Sequence, residues 1–351
     1  MLHHRKSLDL KLKRIADGSS DLKDFIIADA KDADMAFGIM APGPNRAGSC
    51  PHGFDESQRC YKTLADYQAQ IREVIKQQIV DIVLLSASNL ERLGMDEGLF
   101  KNSPITPAAR ANDTTDVWAV REGKYPAQPS RHFRTATLDH IKYGKIENNF
   151  QRPYLGADLG LYSVTFTNQL DWDYAALEAF HDFRIEAEKK NFRYFLEVFN
   201  PNVDPGFDPK KVGSFLNDSI IRCLAGVTRA GRPIFLKIPY NGPGPLEELV
   251  SYDSNLVVGI LGGSAGTTRD AFQLIHDASK YGARVALFGR KINLSEHPLV
   301  FIELLRRVTD REITPEDAVA YYHNKLEESG ITPIRPLKDD LQITETSMSY
   351  S

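Results

Sequence analysis

Lys237 stands inside an apolar stretch, Arg232-Pro-Ile-Phe-Leu-Lys-Ile-Pro-Tyr240, followed by the turn-rich Asn241-Gly-Pro-Gly-Pro245. The stretch reads as a short strand. A charged lysine in a buried strand is costly, so it needs a partner or a depressed pKa. A desolvated, neutral amine is a nucleophile toward carbonyls. The alternative is a lysine at the strand end whose ammonium reaches water. Two glycine-bearing strand ends downstream bear on the choice. Leu256–Leu261 runs into Gly262, Gly263 and Ser264, and Gly282–Phe288 runs into Gly289 and Arg290. Glycines let backbone N–H groups approach an anion, the start of a helix adds positive potential, and an arginine forks onto phosphate. The other reading of Gly262 and Gly263 is a tight turn.

A phosphate grip beside a strand-end lysine points to one reaction class. The amine attacks a ketone, the resulting iminium is an electron sink, and the neighbouring carbon–carbon bond can break or form. A proton carrier is also needed for the hydroxyl on that bond. Asp29 or Glu197 can serve. The alternatives are an ion pair of Asp29 with Lys31 or Lys237, and a structural salt bridge for Glu197.

These residues must be positioned by a repeating scaffold. Strands are expected near residues 25, 80, 105, 160, 193, 233, 256 and 284, most of them followed by a helix. Eight such units predict a TIM (β/α)8 barrel, with barrel elements over about 25–308. An open doubly wound sheet is the runner-up, and no G-x-G-x-x-G follows the first strand. Strand 105–111 is weak because Pro104 and Pro107 disfavour a central ladder position. The helix over 62–78 is expected to bury Leu64, Ile71, Val74 and Ile75. Thr267 and Asp270 predict a capping box. Residues 1–24 read as a polar lead-in, 112–155 as a long insertion that closes over the site or contacts another subunit, and 335–351 as a polar tail that frays or binds a neighbour. The whole is expected to be a single domain. In such a barrel the chemistry gathers at the C-terminal strand ends, with phosphate after strands seven and eight.

The chain has 351 residues, 42% hydrophobic and 26% charged, with a formal net charge of −4. No basic excess argues for nucleic acid or a membrane surface, and no apolar run approaches the roughly 18 residues of a membrane span. The first residues lack the apolar segment of a signal peptide. The three cysteines, Cys50, Cys60 and Cys223, suggest reduced thiols and a cytoplasmic location. Cys50, His52 and Cys60 lack a paired metal-binding spacing, so no metal and no cofactor is expected.

The run from Phe235-Leu-Lys-Ile-Pro through Gly262-Gly-Ser to Gly289-Arg resembles the C-terminal half of class I, Schiff-base aldolases, in particular tagatose-1,6-bisphosphate and archaeal-type fructose-bisphosphate aldolases. The resemblance covers about 25–308 in strand order and is specific in 232–290. It implies that Lys237 is the Schiff-base lysine and that Gly262, Gly263, Gly289 and Arg290 hold phosphate, with Ser264 added to that set from its place at the end of strand seven. Ala28-Asp29-Ala-Lys31 implies Asp29 in proton transfer and Lys31 near a phosphate, and Phe195-Leu-Glu197 implies a role for Glu197. Leu161 departs from the pattern, standing where the tagatose enzyme carries a lysine. The resemblance further implies a phosphorylated sugar or keto substrate and a homo-oligomer. An isomerase, a transaldolase-like transferase and a non-catalytic sugar-phosphate-binding barrel are the alternatives.

Overall fold

The computed structural model describes residues 6–45, 61–147, 153–263 and 266–348. Cys50, His52, Cys60 and Ser264 lie outside them. Eight strands form a closed barrel: β1 Ile26–Lys31, β2 Ile82–Leu85, β3 Thr106–Arg110, β4 Leu159–Thr165, β5 Arg193–Phe199, β6 Leu236–Ile238, β7 Val258–Leu261 and β8 Val285–Phe288. Each strand pairs in parallel with its sequence neighbours, and β8 closes on β1. This is the TIM barrel expected from the sequence. The principal helices are α1 Ser7–Ala16, α2 Leu64–Gln77, α3 Leu170–Lys189, α4 Val212–Ala225, α5 Pro243–Tyr252, α6 Thr268–Lys280, α7 Arg290–Leu294, α8 Pro298–Thr309 and α9 Pro315–Glu328. No described helix is long and apolar enough to cross a membrane.

Two apolar layers share each strand by alternation. Ala28 and Ala30 pack inward with Leu84, Leu161 and Phe195. The rings of Phe195 and Phe235 stack there at 4.6 Å. Ile27, Val83 and Leu196 face outward, into the layer shared with the helices. Pro107 sits within β3 after all. Its neighbours carry the ladder, with the Thr106 N–H donating to the Asp81 carbonyl at 2.9 Å and the Ala111 N–H to the Leu161 carbonyl at 2.8 Å.

The ends of the barrel are closed differently. α1 covers the N-terminal end, where Leu8 is fully buried in the inner layer. Lys6 Nζ, just before it, donates to the carbonyls of Phe100, Ser103 and Ile105 at 2.8, 2.8 and 2.9 Å. At the opposite end the insertion after β3 forms a small ribbon, Asp113–Thr114 antiparallel to His132–Phe133. Trp118 stacks on Tyr125 within it at 4.2 Å. α2 starts with a capping box, Thr63 and Asp66, but Leu64 is 58% exposed. Its buried face is Tyr67, Ile71, Val74 and Ile75; Leu64 lies on the same face by spacing but is the first residue of the helix.

Candidate active site

Strand register assembles the site. Ser163 of β4 lies opposite Glu197 of β5, Glu197 opposite Lys237 of β6, and Lys237 opposite Gly259 of β7. Residues in register on parallel strands face the same way, so these four share one inward layer. A Cβ on Gly259 would lie 2.7 Å from the Leu236 carbonyl oxygen and 2.7 Å from Val285 Cβ. Glycine therefore lets β7 close against its neighbours beside the lysine.

Lys237 is 7% exposed, and its Nζ lies 2.5 Å from Glu197 Oε1. The other carboxylate oxygen, Oε2, accepts from Ser163 Oγ at 2.6 Å. Asn112 fixes that serine's backbone, donating to its carbonyl at 2.8 Å and accepting from its N–H at 2.6 Å. Arg110, at the end of β3, continues the chain of charges. Its Nε meets Asp32 Oδ2 at 2.5 Å, and it approaches Glu197 at 3.8 Å and Asp113 at 3.9 Å. Burial alone would lower the arginine's pKa, but these three carboxylates together hold it well above its ordinary value. Burial pushes Asp113 up to about 6, with Arg110 opposing and Asp32 adding to the shift. The arrangement is a buried row of alternating charge, with a lysine amine at one end and a hydrogen-bonded carboxylate touching it.

A cavity of about 230 Å³ opens on this row. Asp32, Arg110, Glu197 and Lys237 line it, together with Gly262, Gly263, Gly289 and Arg290. The insertion after β3 supplies Asp116, Val117 and Ala119. Asp116 anchors that segment by accepting from Thr165 Oγ1 at 2.9 Å and Ser130 Oγ at 2.7 Å. Part of the insertion thus forms a wall of the cavity. Arg290 is exposed at the cavity, with its guanidinium 5.6 Å from the Phe37 ring. Gly263 has φ +62°, a left-handed conformation that favours glycine.

Two expectations need correction. Asp29 and Lys31 do not reach the cavity. They share the outward parity of Ile27 and are both 0% exposed. Lys31 Nζ lies 3.3 Å from Asp29 Oδ2 and donates to Asn293 Oδ1 on α7. Burial pushes the Asp29 carboxyl up to about 6, against the pull of Lys31, and burial lowers the Lys31 amine. The acid of this segment that does line the cavity is Asp32, one residue past the strand. The second correction concerns the helix start after β7. The Thr268 N–H donates to Asp340 Oδ1 at 2.8 Å, and the Thr267 and Asp270 N–H groups close the capping box at 2.7 and 3.1 Å. The Gly262 N–H is also spent, on the Leu287 carbonyl at 2.7 Å. The chain's own carboxylates thus occupy that helix end, leaving the corner around Gly263, Gly289 and Arg290 as the cationic side of the cavity.

Ser163, Asp116, Asp32 and Arg110 line or support the site without having been assigned a role from the sequence. The usable signal for Ser163 was its two-residue spacing from Leu161 and Thr165 on one face of β4. Leu161 itself is fully buried in the inner layer, one step below Ser163.

No family model matches the chain, and no curated protein matches it in sequence. Solved structures do match in shape. An archaeal fructose 1,6-bisphosphate aldolase superposes with a TM-score of 0.58 at 14% identity, covering 86% of this chain and 99% of the other. A structure of an archaeal enzyme of the same kind, described as having its catalytic Lys covalently bound to the carbinolamine intermediate of the substrate, gives the same values. A fructose-bisphosphate aldolase from Slackia heliotrinireducens gives 0.61 at 11% identity, covering 91% and 90%. At such identities the shared property is the barrel itself: the chain folds as these aldolases fold.

Proposed function

We propose that the chain is an aldolase-type lyase that makes or breaks a carbon–carbon bond of a phosphorylated keto compound through a Schiff base on Lys237. The observation that carries this is the contact of a buried, strand-end lysine with Glu197 at 2.5 Å, at the edge of a cavity that Arg290 also lines. Lys237 Nζ attacks the ketone carbon, and its proton passes to Glu197. Loss of water from the carbinolamine gives the iminium. The hydroxyl on the departing carbon then gives up its proton, the carbon–carbon bond breaks, an aldehyde leaves, and the electron pair remains as an enamine. Protonation of the enamine and addition of water release the ketone and restore the amine. Glu197, held by Ser163, is the carboxylate within reach of both proton transfers. Arg110, fixed by Asp32, keeps that carboxylate in place. Asp29 has no part in this scheme, because it lies outside the cavity. The likeness in fold to a Schiff-base-forming fructose-1,6-bisphosphate aldolase, and to one whose catalytic Lys carries the carbinolamine intermediate, supports the reading.

Borohydride reduction tests it. The protein is incubated separately with dihydroxyacetone phosphate, fructose 1,6-bisphosphate and tagatose 1,6-bisphosphate, reduced, and mapped by peptide mass. A stable adduct on Lys237, absent from Lys237→Ala, is expected. An adduct on another lysine, or none on the folded protein with any of the three, overturns the proposal.

A further inference from the structure

A second cavity, of about 420 Å³, adjoins the first and shares Leu261, Gly262, Gly263 and Arg290 with it. The inner cavity alone falls below the roughly 300 Å³ at which small-molecule sites begin, whereas the two together lie well within that range. The outer lobe is walled by the C-terminal segment through Glu345, Ser347 and Met348. That segment is built in, not laid on. Asp270, 2% exposed, accepts from the Thr344 N–H at 2.8 Å, from Thr344 Oγ1 at 2.5 Å and from the Glu345 N–H at 3.3 Å. Thr267 Oγ1 donates to the Gln342 carbonyl at 2.6 Å. Asp340, 4% exposed, meets His323 at 3.0 Å besides Thr268. Met348 is buried in the helix layer. The lining of the lobe also includes Asn200 and Asn241, whose amides exchange hydrogen bonds at 2.8 and 2.9 Å and retain further donors and acceptors.

We infer that this outer lobe binds the part of the substrate beyond the three-carbon keto fragment, a hydroxyl-bearing chain, and that the C-terminal segment sets the length of chain accepted. The amides and the serine match hydroxyl groups, Arg290 and Lys291 on the same lining add cationic donors, and Gly262 and Gly263 line both lobes. The inference rests on the proposed aldolase reading for its naming of the two fragments.

Ser347→Trp in the full chain fills the lobe without touching Lys237 or Glu197. Its folding is checked by melting temperature. Asn241→Leu, elsewhere on the lining, is an independent probe should the tryptophan impair folding. The readout is the concentration needed for half-maximal trapping on Lys237 by fructose 1,6-bisphosphate, divided by that for dihydroxyacetone phosphate. The ratio is expected to rise at least tenfold in Ser347→Trp and in the same direction in Asn241→Leu. An unchanged ratio, or equal weakening of both compounds, overturns the inference. If no compound traps on Lys237, the aldolase reading fails and the lobe is tested by melting shifts. The excess shift by fructose 1,6-bisphosphate over inorganic phosphate must then be present in the native chain and vanish in Ser347→Trp. Absence of that excess, or its survival in the variant, overturns the inference.

Discussion

Lys31→Met separates the two roles available to the outward pair on β1. The methionine keeps much of the volume and removes the ammonium 3.3 Å from Asp29. Asp29 accepts no hydrogen bond among the described residues, so it is left without a partner at 0% exposure. In the native chain burial already raises this carboxyl from 3.8 to about 6. At about 1.36 kcal/mol per pKa unit, the ionised form withholds about 3 kcal/mol from the folded state. Breaking a buried pair adds a loss on the order of 3–5 kcal/mol. The sign follows from the direction of the shift. A carboxyl whose pKa is raised on folding contributes stability that is complete below its unfolded value and is lost as pH climbs through the folded one. Without Lys31 the folded value rises further, so the loss deepens above pH 6 and is small at pH 5. The lysine's own pKa is lowered by burial, so its removal is least harmful on the acid side, which works in the same direction. Guanidinium unfolding at pH 5 and pH 8 should therefore show a small difference from native at pH 5 and about 3–5 kcal/mol at pH 8. Equal losses at both pH values would refute the electrostatic argument. A tenfold weaker phosphosugar affinity at unchanged stability would return Lys31 to the substrate site.

Two further perturbations probe the inward row. Glu197→Gln keeps the shape but removes the proton acceptor beside Lys237, so kcat for carbon–carbon cleavage should fall about 10²-fold or more, while a folded protein is retained by circular dichroism. Undiminished turnover would exclude Glu197 as the proton carrier. Gly259→Ala forces a methyl to within 2.7 Å of the Leu236 carbonyl and Val285 Cβ, and should cost about 1–3 kcal/mol in denaturant unfolding together with slower trapping on Lys237. Native stability in that variant would mean that β7 can shift without disturbing the layer.

The strands were legible because a parallel barrel buries both faces and writes each strand as a continuous apolar run. The same property hid the site's parity. Ile26–Lys31 is buried at every position, so nothing in its pattern says that Ala28 and Ala30 face the lumen while Asp29 and Lys31 face the helices. Which of the two alternating sets faces the lumen emerges only across strands, from the register of Ser163, Glu197, Lys237 and Gly259, and strand pairing is not written in any one segment. Lys237 and Glu197 were found because an ionisable group within an apolar run is conspicuous wherever it points. The capping box of Thr267 and Asp270 was legible locally. Its consequence was not, because the carboxylate that occupies the helix start comes from Asp340, seventy-two positions along the chain.

The closure of the barrel's N-terminal end bears on the order in which the molecule assembles. Lys6 is fixed by carbonyls 94 to 99 residues downstream, and the Ser7 N–H by that of Pro104. Contacts of such sequence separation form late and slowly, because the intervening loop must be closed before they return any free energy. During synthesis, the Ser7–Ala16 segment therefore lacks these partners until β3 has been made, and Leu8 lacks the complete inner layer until β8 has followed. For that interval, the segment that seals the finished barrel carries an apolar side chain whose covering layer does not yet exist.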